Sequence, residues 1–170
     1  MKKIYFGLII LSIMGCASST KHIKTIENFD ADKYLGKWYE IARLDHSFER
    51  GLDNVTATYS IKPNGKIRVL NQVIKQDGTN STAEGKAYVI SGENNPGELR
   101  VSFFWILYAK YRIFYLDEDY QTALVTSSSK NYLWILSRKP VLNEDELNSL
   151  LKICKDYGFE TDKLIFPKQK

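Results

Sequence analysis

The sequence predicts an all-β fold: eight antiparallel strands in up-and-down order, closed into a barrel, with one C-terminal α-helix packed on the outside. Three observations carry that expectation. From Trp38 onward, short runs of alternating apolar and polar residues recur between turn signals. A single later segment switches to helical spacing. The chain also holds eleven Tyr, eight Phe and three Trp, which need a large apolar interior. Composition by itself would equally admit a β-sandwich. A barrel differs in leaving no free sheet edge and, at eight strands, in having room for one small ligand.

The first residues stand apart from this pattern. Lys2 and Lys3 precede an uncharged, mostly apolar run of twelve residues, Ile4 to Gly15. That length suits a secretory signal, whereas a membrane-crossing helix needs about 20 residues. The run ends in Ile13-Met14-Gly15-Cys16, which resembles the lipobox of bacterial lipoproteins. The resemblance implies that residues 1–15 are a signal peptide and that Cys16 carries acyl chains, palmitate among them. Two or three chains anchor a protein firmly where one does not. The residue after the cysteine is Ala17, not the aspartate that retains such lipoproteins in the inner membrane, so the resemblance implies the outer membrane. Residues 16–27 are expected to be the lipidated cysteine and a polar tether, and residues 28–170 the folded domain.

Eight strands follow in order. The first surrounds Trp38 to Leu44. Val55, Ala57, Tyr59 and Ile61 alternate with Thr56, Thr58 and Ser60 in the second. Pro63-Asn64-Gly65 is a hairpin turn, Lys66 to Ile74 resumes as a strand, and Asp77-Gly78 turns again. Thr82 to Ile90, Leu99 to Phe103, Tyr111 to Leu116, Thr122 to Thr126 and Tyr132 to Arg138 complete the set. Asn143 and Glu146 then form a capping-box-like start, and Leu147, Leu150, Leu151 and Cys154 share one helix face. Acids in the first turn and Lys152 and Lys155 further on suit the helix dipole, and Gly158 stops the helix. Lys163 to Phe166 is expected to add a short strand at the sheet edge.

Composition also excludes several functions. The 154 residues beyond Cys16 make one domain. Loss of Lys2 and Lys3 lowers the formal net charge from +4 to +2, too little for nucleic acid. With Cys16 acylated, Cys154 has no disulfide partner and reads as a buried, inert thiol. The two histidines, His22 in the tether and His46 in a loop, form no metal cluster. No nucleophile elbow is visible, and the two histidines lie in the tether and a loop, so no enzyme and no cofactor are expected. Asp117 and Asp119 read as turn chemistry.

Gly36-Lys37-Trp38, Asp119-Tyr120 and Arg138 stand at separations that resemble the three motifs of the lipocalin family. The closer likeness is to its bacterial lipoprotein group. It runs through Tyr34-Leu35-Gly36-Lys37-Trp38-Tyr39-Glu40-Ile41-Ala42-Arg43, Glu84-Gly85-Lys86-Ala87-Tyr88 and Tyr132-Leu133-Trp134-Ile135-Leu136-Ser137-Arg138, and spans essentially the whole mature chain. The resemblance implies a barrel whose closed end is built by Gly36, Trp38, Asp119 and Arg138, the arginine lying across the tryptophan ring. It further implies lipid binding, with lysophospholipids or fatty acids as ligands, at the outer membrane of a Gram-negative envelope, and homodimers. The segment Phe104-Trp105-Ile106-Leu107-Tyr108 departs from the group, whose members carry a Gly-Pro turn there. It is expected either to line the mouth, touch membrane or bury in a dimer, or to extend the strands and pack inside.

Taking Arg138 as inward, period-two alternation places Tyr132, Trp134 and Leu136 in the lumen. The same parity points Ala57, Tyr59, Gly85, Ala87, Val89, Val101, Phe103, Ile113, Tyr115 and Val125 inward. Such a wall suits an acyl chain, with the Tyr59 and Tyr115 hydroxyls meeting ligand oxygens and Arg50, Lys75 and Lys110 near a phosphate. The sequence-level expectation is therefore a store or carrier of lysophospholipid or fatty acid. A carrier of pigment or haem and a structural envelope lipoprotein are the alternatives.

Overall fold

A computed structural model describes residues 18–47, 49–75, 77–90, 97–104 and 107–169 of the chain. Its strands are β1 (Gly36–Leu44), β2 (Leu52–Ile61), β3 (Ile67–Lys75), β4 (Asn80–Val89), β5 (Glu98–Phe104), β6 (Leu107–Leu116), β7 (Thr122–Thr126) and β8 (Leu133–Ser137). Each pairs antiparallel with the next, β8 pairs with β1, and β1 pairs with β2, so the sheet closes on itself. β1 starts two residues before Trp38, and β6 starts four residues before Tyr111. The strands flanking residues 105–106 are thus longer than the alternation suggested.

Closure between β1 and β2 is direct only where Gly36–Tyr39 face Thr56–Tyr59. Beyond Tyr39 and Thr56 the C-terminal segment covers the two freed edges. β9 (Leu164–Ile165) pairs with Leu44 and Arg43. The Asn54 amide donates to the Lys168 carbonyl at 2.7 Å, and the Gln169 amide bridges the carbonyls of Glu40 and Val55 at 2.7 and 3.0 Å. A strand edge that would otherwise offer unpaired groups is satisfied within the chain.

Two apolar layers result. The lumen is packed by residues such as Trp38, Val69, Leu99, Ile113 and Val125. The outer layer lies between the wall and helix α2 (Glu144–Asp156), where Ile41, Phe114, Leu124, Leu133 and Ile135 meet Leu150, Cys154 and Phe159. The capping box forms as the sequence reads: Asn143 Oδ1 accepts from the Glu146 amide, and Glu146 Oε2 accepts from the Asn143 amide. Burial pushes the Cys154 thiol up to about 12, which leaves it un-ionised. One element was not foreseen: α1 (Ala31–Tyr34), a single turn capped by the Asp30 carboxylate.

The segment expected as a tether is packed on the barrel from its first described residue. Ser18, Thr20 and Ser19 bond to the β7–β8 connection, and Ile23 is 1% exposed within the outer layer. Arg112 holds the segment. Its guanidinium donates to the Thr20 and Ile23 carbonyls while its Nε pairs with Glu98 at 3.1 Å. The Ile26 amide then donates to Ile113 O at 3.0 Å as the chain runs toward α1. This segment behaves as part of the core, so Ile23→Ala is expected to lower stability by about 2–5 kcal/mol in urea unfolding. An unchanged midpoint would show that residues 18–27 contribute nothing to the fold.

Candidate ligand-binding site

The barrel floor is built around one arginine. Arg138 leaves the end of β8 and lays its guanidinium over Trp38, 3.9 Å from the ring centroid. Its Nε donates to Tyr120 O, Nη1 to Lys37 O and Nη2 to Lys33 O, so the β6–β7 turn, β1 and α1 are joined to β8. Tyr120 reaches it from the left-handed region, at φ +56°. Gly36 sits at φ +94°, where an L side chain is strained, and a Cβ there would lie a tight 3.2 Å from Arg138 Nη1. Trp38 Nε1 donates to Tyr34 O at 2.9 Å, which pins α1 beneath the ring. Asp119 does not supply the expected closing contact. Its side chain is exposed, and the turn is held by Asp117, which accepts from the amides of Asp119, Gln121 and Thr122.

Above the floor the pairing register shifts at four places, on β1, β2, β5 and β6, and the shifts on β6 and β1 change which side chains reach the lumen. On β2, Ala57 and Tyr59 point inward; on β4, Ala87 and Val89 do, with Gly85 beneath the Phe103 ring. Val101 and Phe103 of β5, Ile113 of β6, Val125 of β7, and Trp134 and Leu136 of β8 complete that wall. Tyr132 stacks on Trp134, their rings 6.0 Å apart. Tyr115 is a correction. Ile113 pairs with Val125, but Tyr115 pairs with Leu124, so one extra residue on β6 sends both Phe114 and Tyr115 to the outer layer. Leu116 takes the inward position instead.

Several lumen residues are not named from the sequence: no inward residue is assigned on β3, Tyr34 lies outside the strands, and the others share the parity of Val101, Ile113 and Val125. They are Ile67 and Val69 of β3, Leu99, Ala123 and, above all, Tyr34 and Tyr111. The three hydroxyls of Tyr34, Tyr59 and Tyr111 meet in the lumen, at 2.7 Å between Tyr34 and Tyr111 and 3.0 Å between Tyr59 and Tyr111. Burial raises all three, Tyr59 to about 12, so they remain neutral hydroxyls. Nearer the other end, Ala57, Val101, Phe103, Tyr111 and Trp134 are half-buried although they point inward. Solvent therefore reaches the space they line.

The second bulge, between Glu40 and Ala42 of β1, turns Arg43 inward opposite Trp134, while Glu40, in the parity of Trp38, faces inward opposite Leu136. Arg43 Nη1 bonds Glu40 Oε1, and Nη2 donates to Glu49 O at 2.6 Å. The β1–β2 loop reaches back into the mouth. Trp134 Nε1 donates to Glu49 Oε2 at 3.0 Å, His46 Nε2 lies 3.1 Å from the same oxygen, and the His46 ring packs on Trp134 and Tyr132. Burial and the Glu49 charge push Glu40 up to about 8, against the pull of Arg43. Of the three cations expected at the mouth, Lys110 is drawn to Glu98 on the outer wall at 3.4 Å. Arg50 is tied to Asp45 at 2.5 Å, and Lys75 stays exposed at the end of β3.

Comparison with known proteins agrees with this geometry. Residues 29–169 match the lipocalin-like domain family. The chain is a lipocalin. It is 42% identical over 172 residues to the outer membrane lipoprotein Blc of Vibrio cholerae serotype O1, covering all of both chains. It is 46% identical to that of Citrobacter freundii, over 92% of this chain and 90% of the other. Among solved structures, insecticyanin of the tobacco hornworm Manduca sexta superposes with a TM-score of 0.73 at 19% identity, over 87% of this chain and 85% of that one. The family and these relatives make the chain a hydrophobic-ligand-binding lipoprotein of the bacterial outer membrane.

The lipocalin lumen contrasts with a crevice of about 720 Å³ outside its floor, between residues 26–33 and 116–120. Glu27, Asp30, Asp117 and Glu118 line that crevice together with Lys33 and the apolar Ile26, Phe29 and Leu116, and none of the barrel's inward-facing wall residues named above opens into it except Leu116. Among the described residues, no three His, Cys, Asp or Glu side chains gather so as to hold a metal ion.

Two predictions follow from floor and mouth. Arg138→Lys keeps a charge but loses the planar fork, so it is expected to cost at least about 2 kcal/mol in chemical unfolding, close to Arg138→Ala. Equal stability of wild type and the lysine variant would contradict the clamp. The native state holds the Glu40 proton more tightly than the unfolded chain, so the contribution is full below the unfolded value and is lost as pH rises. Stability is expected to fall between about pH 5 and pH 8, and Glu40→Gln to flatten that slope. An unaltered slope in the variant would assign the pH dependence elsewhere.

Proposed function

We propose that this lipocalin stores or carries a single-chain lipid, a lysophospholipid or a fatty acid, at the outer membrane, and that acyl chains on Cys16 anchor it there. The observation that carries the reading is the division of the lumen. Its walls are apolar and partly built of small residues, Ala57, Gly85, Ala87 and Val101, while polar atoms gather at the tyrosine hydroxyls and at the mouth. An extended chain lying along such a wall gains roughly 0.8 kcal/mol for each buried CH₂. A charged head group is left at the mouth, where Lys75 is exposed and Arg43 and His46 line the inner edge.

The test is a titration of the protein beginning at Ala17 with lysophospholipid and with fatty acid, followed by the fluorescence of Trp134. One lipid per chain is expected, and a tighter fit for lysophospholipid would support a role for the phosphate. Ala57→Phe narrows the lumen and is expected to weaken binding at least tenfold, about 1.4 kcal/mol. Tyr115→Ala, on the outer layer, is expected to leave affinity unchanged. Equal affinity of Ala57→Phe and wild type would place the lipid outside the barrel.

A further inference from the structure

Building on the lipid-binding reading above, we infer that the lumen takes a lipid with a hydroxyl on its buried chain, held between the tyrosine hydroxyls above the floor and Asn71. Tyr34, Tyr59 and Tyr111 bring three O–H groups into the lumen and make two hydrogen bonds, both at Tyr111 Oη. Tyr59 donates one of them. If Tyr34 donates the other, the Tyr111 proton is left over; if Tyr111 donates it, the Tyr34 proton is. In both arrangements one O–H has no acceptor among the described residues. Tyr34 and Tyr59 are 2% and 4% exposed, so little bulk water reaches the cluster.

An acceptor stands unmatched on the same wall. Asn71 Oδ1 is buried with no hydrogen-bond partner among the described residues. Asn71 pairs with Ala57 and Val69 pairs with Tyr59, and Ala57, Val69 and Tyr59 all face the lumen. The register does not shift between these pairs, so Asn71 shares their face, one inward step farther from the floor. Tyr59 and Asn71 are therefore diagonal neighbours across two strands, roughly 7–8 Å apart at the backbone and within reach of a long side chain. The wall around them is aliphatic, with Ala57, Val69, Ala87, Leu99 and Ile113. A plain methylene chain lying there leaves both the spare proton and the Asn71 oxygen unanswered.

A hydroxyl answers both, because its oxygen accepts while its own proton is donated. A ketone or ester carbonyl accepts from the tyrosine and leaves Asn71 Oδ1 without a donor. A carboxylate would bury a charge against neutral hydroxyls and aliphatic side chains. A saturated chain that displaces water from these atoms loses bonds it cannot replace, whereas a chain hydroxyl keeps them. Depth decides where on the lipid that hydroxyl stands. Tyr59 pairs with Gly36 of the floor, and the Tyr34 ring packs on Trp38 with centroids 4.8 Å apart. With the head group left at the mouth, the carbon that meets this cluster belongs to the distal half of the chain.

The test titrates the mature protein with octadecanoic acid and with octadecanoic acids that carry one hydroxyl at successive carbons. At a few adjacent carbons of the distal half, binding is expected to be at least about tenfold tighter than that of the parent acid, with no gain elsewhere. Two variants assign the preference. Asn71→Leu removes the acceptor, and the triple variant Tyr34→Phe, Tyr59→Phe, Tyr111→Phe removes all three hydroxyls at nearly constant shape. Each is expected to bring the ratio of the two affinities close to one, while Tyr115→Phe on the outer layer keeps it. A parent acid that binds as tightly as every hydroxylated one overturns the inference and leaves lipid binding in place. A preference that survives in both variants overturns it too. So does a lysophospholipid weakened by removal of its glycerol hydroxyl when no chain hydroxyl gives a gain, since that puts the head group at the tyrosines. Binding of none of these lipids overturns the proposed function and this inference together.

Discussion

One guanidinium determines which end of this barrel can be an entrance. Arg138 spends its planar face on Trp38 and its donors on three carbonyls from three different elements. A lysine offers one point charge in place of that fork, and no smaller residue covers the indole. Because the floor is sealed by stacked and hydrogen-bonded groups, a ligand enters only between the opposite strand ends. The same clamp sets the inward parity from which each strand's faces are counted.

The bulges then adjust that parity where function and packing require it. On β6 the extra residue turns Phe114 and Tyr115 together onto the outer layer, where Phe114 stacks with Phe159 at 5.4 Å. On β1 the extra residue brings Arg43 inward and lets it meet the loop that carries Glu49. The buried arginine is held in the mouth on several sides, by the Glu40 carboxyl and by the backbone carbonyls of Glu49 and Leu52. The apolar wall thus ends in a polar collar rather than opening directly to water.

Most of the architecture could be read from residue order. Alternation located all eight strands, Asn143 and Glu146 located the start of α2, and the Trp38 and Arg138 positions located the floor. What could not be read has specific causes. Phe114 and Tyr115 are both apolar, so either could face inward and nothing local marks the bulge. Residues 18–27 look polar, yet their anchors are Ile23 and a distant Arg112, a pairing that only the fold creates. Asp117 and Asp119 are interchangeable in a turn sequence, and backbone geometry gives the capping role to Asp117. His46 and Glu49 read as loop residues because a loop that folds back into a lumen has no signature of its own. α1 is four residues long, below what periodicity can detect.

The account stands on a lipid chain lying inside the lumen, and contact measured atom by atom tests it most directly. Nuclear Overhauser spectra of the protein bound to a fatty acid with a ¹³C-labelled chain would show which side chains the methylene groups touch. The account predicts cross-peaks to Trp134, Val101 and Ala57 from the middle of the chain. Cross-peaks confined to the outer-wall residues Tyr115 and Leu147, with none from the lumen, would contradict it.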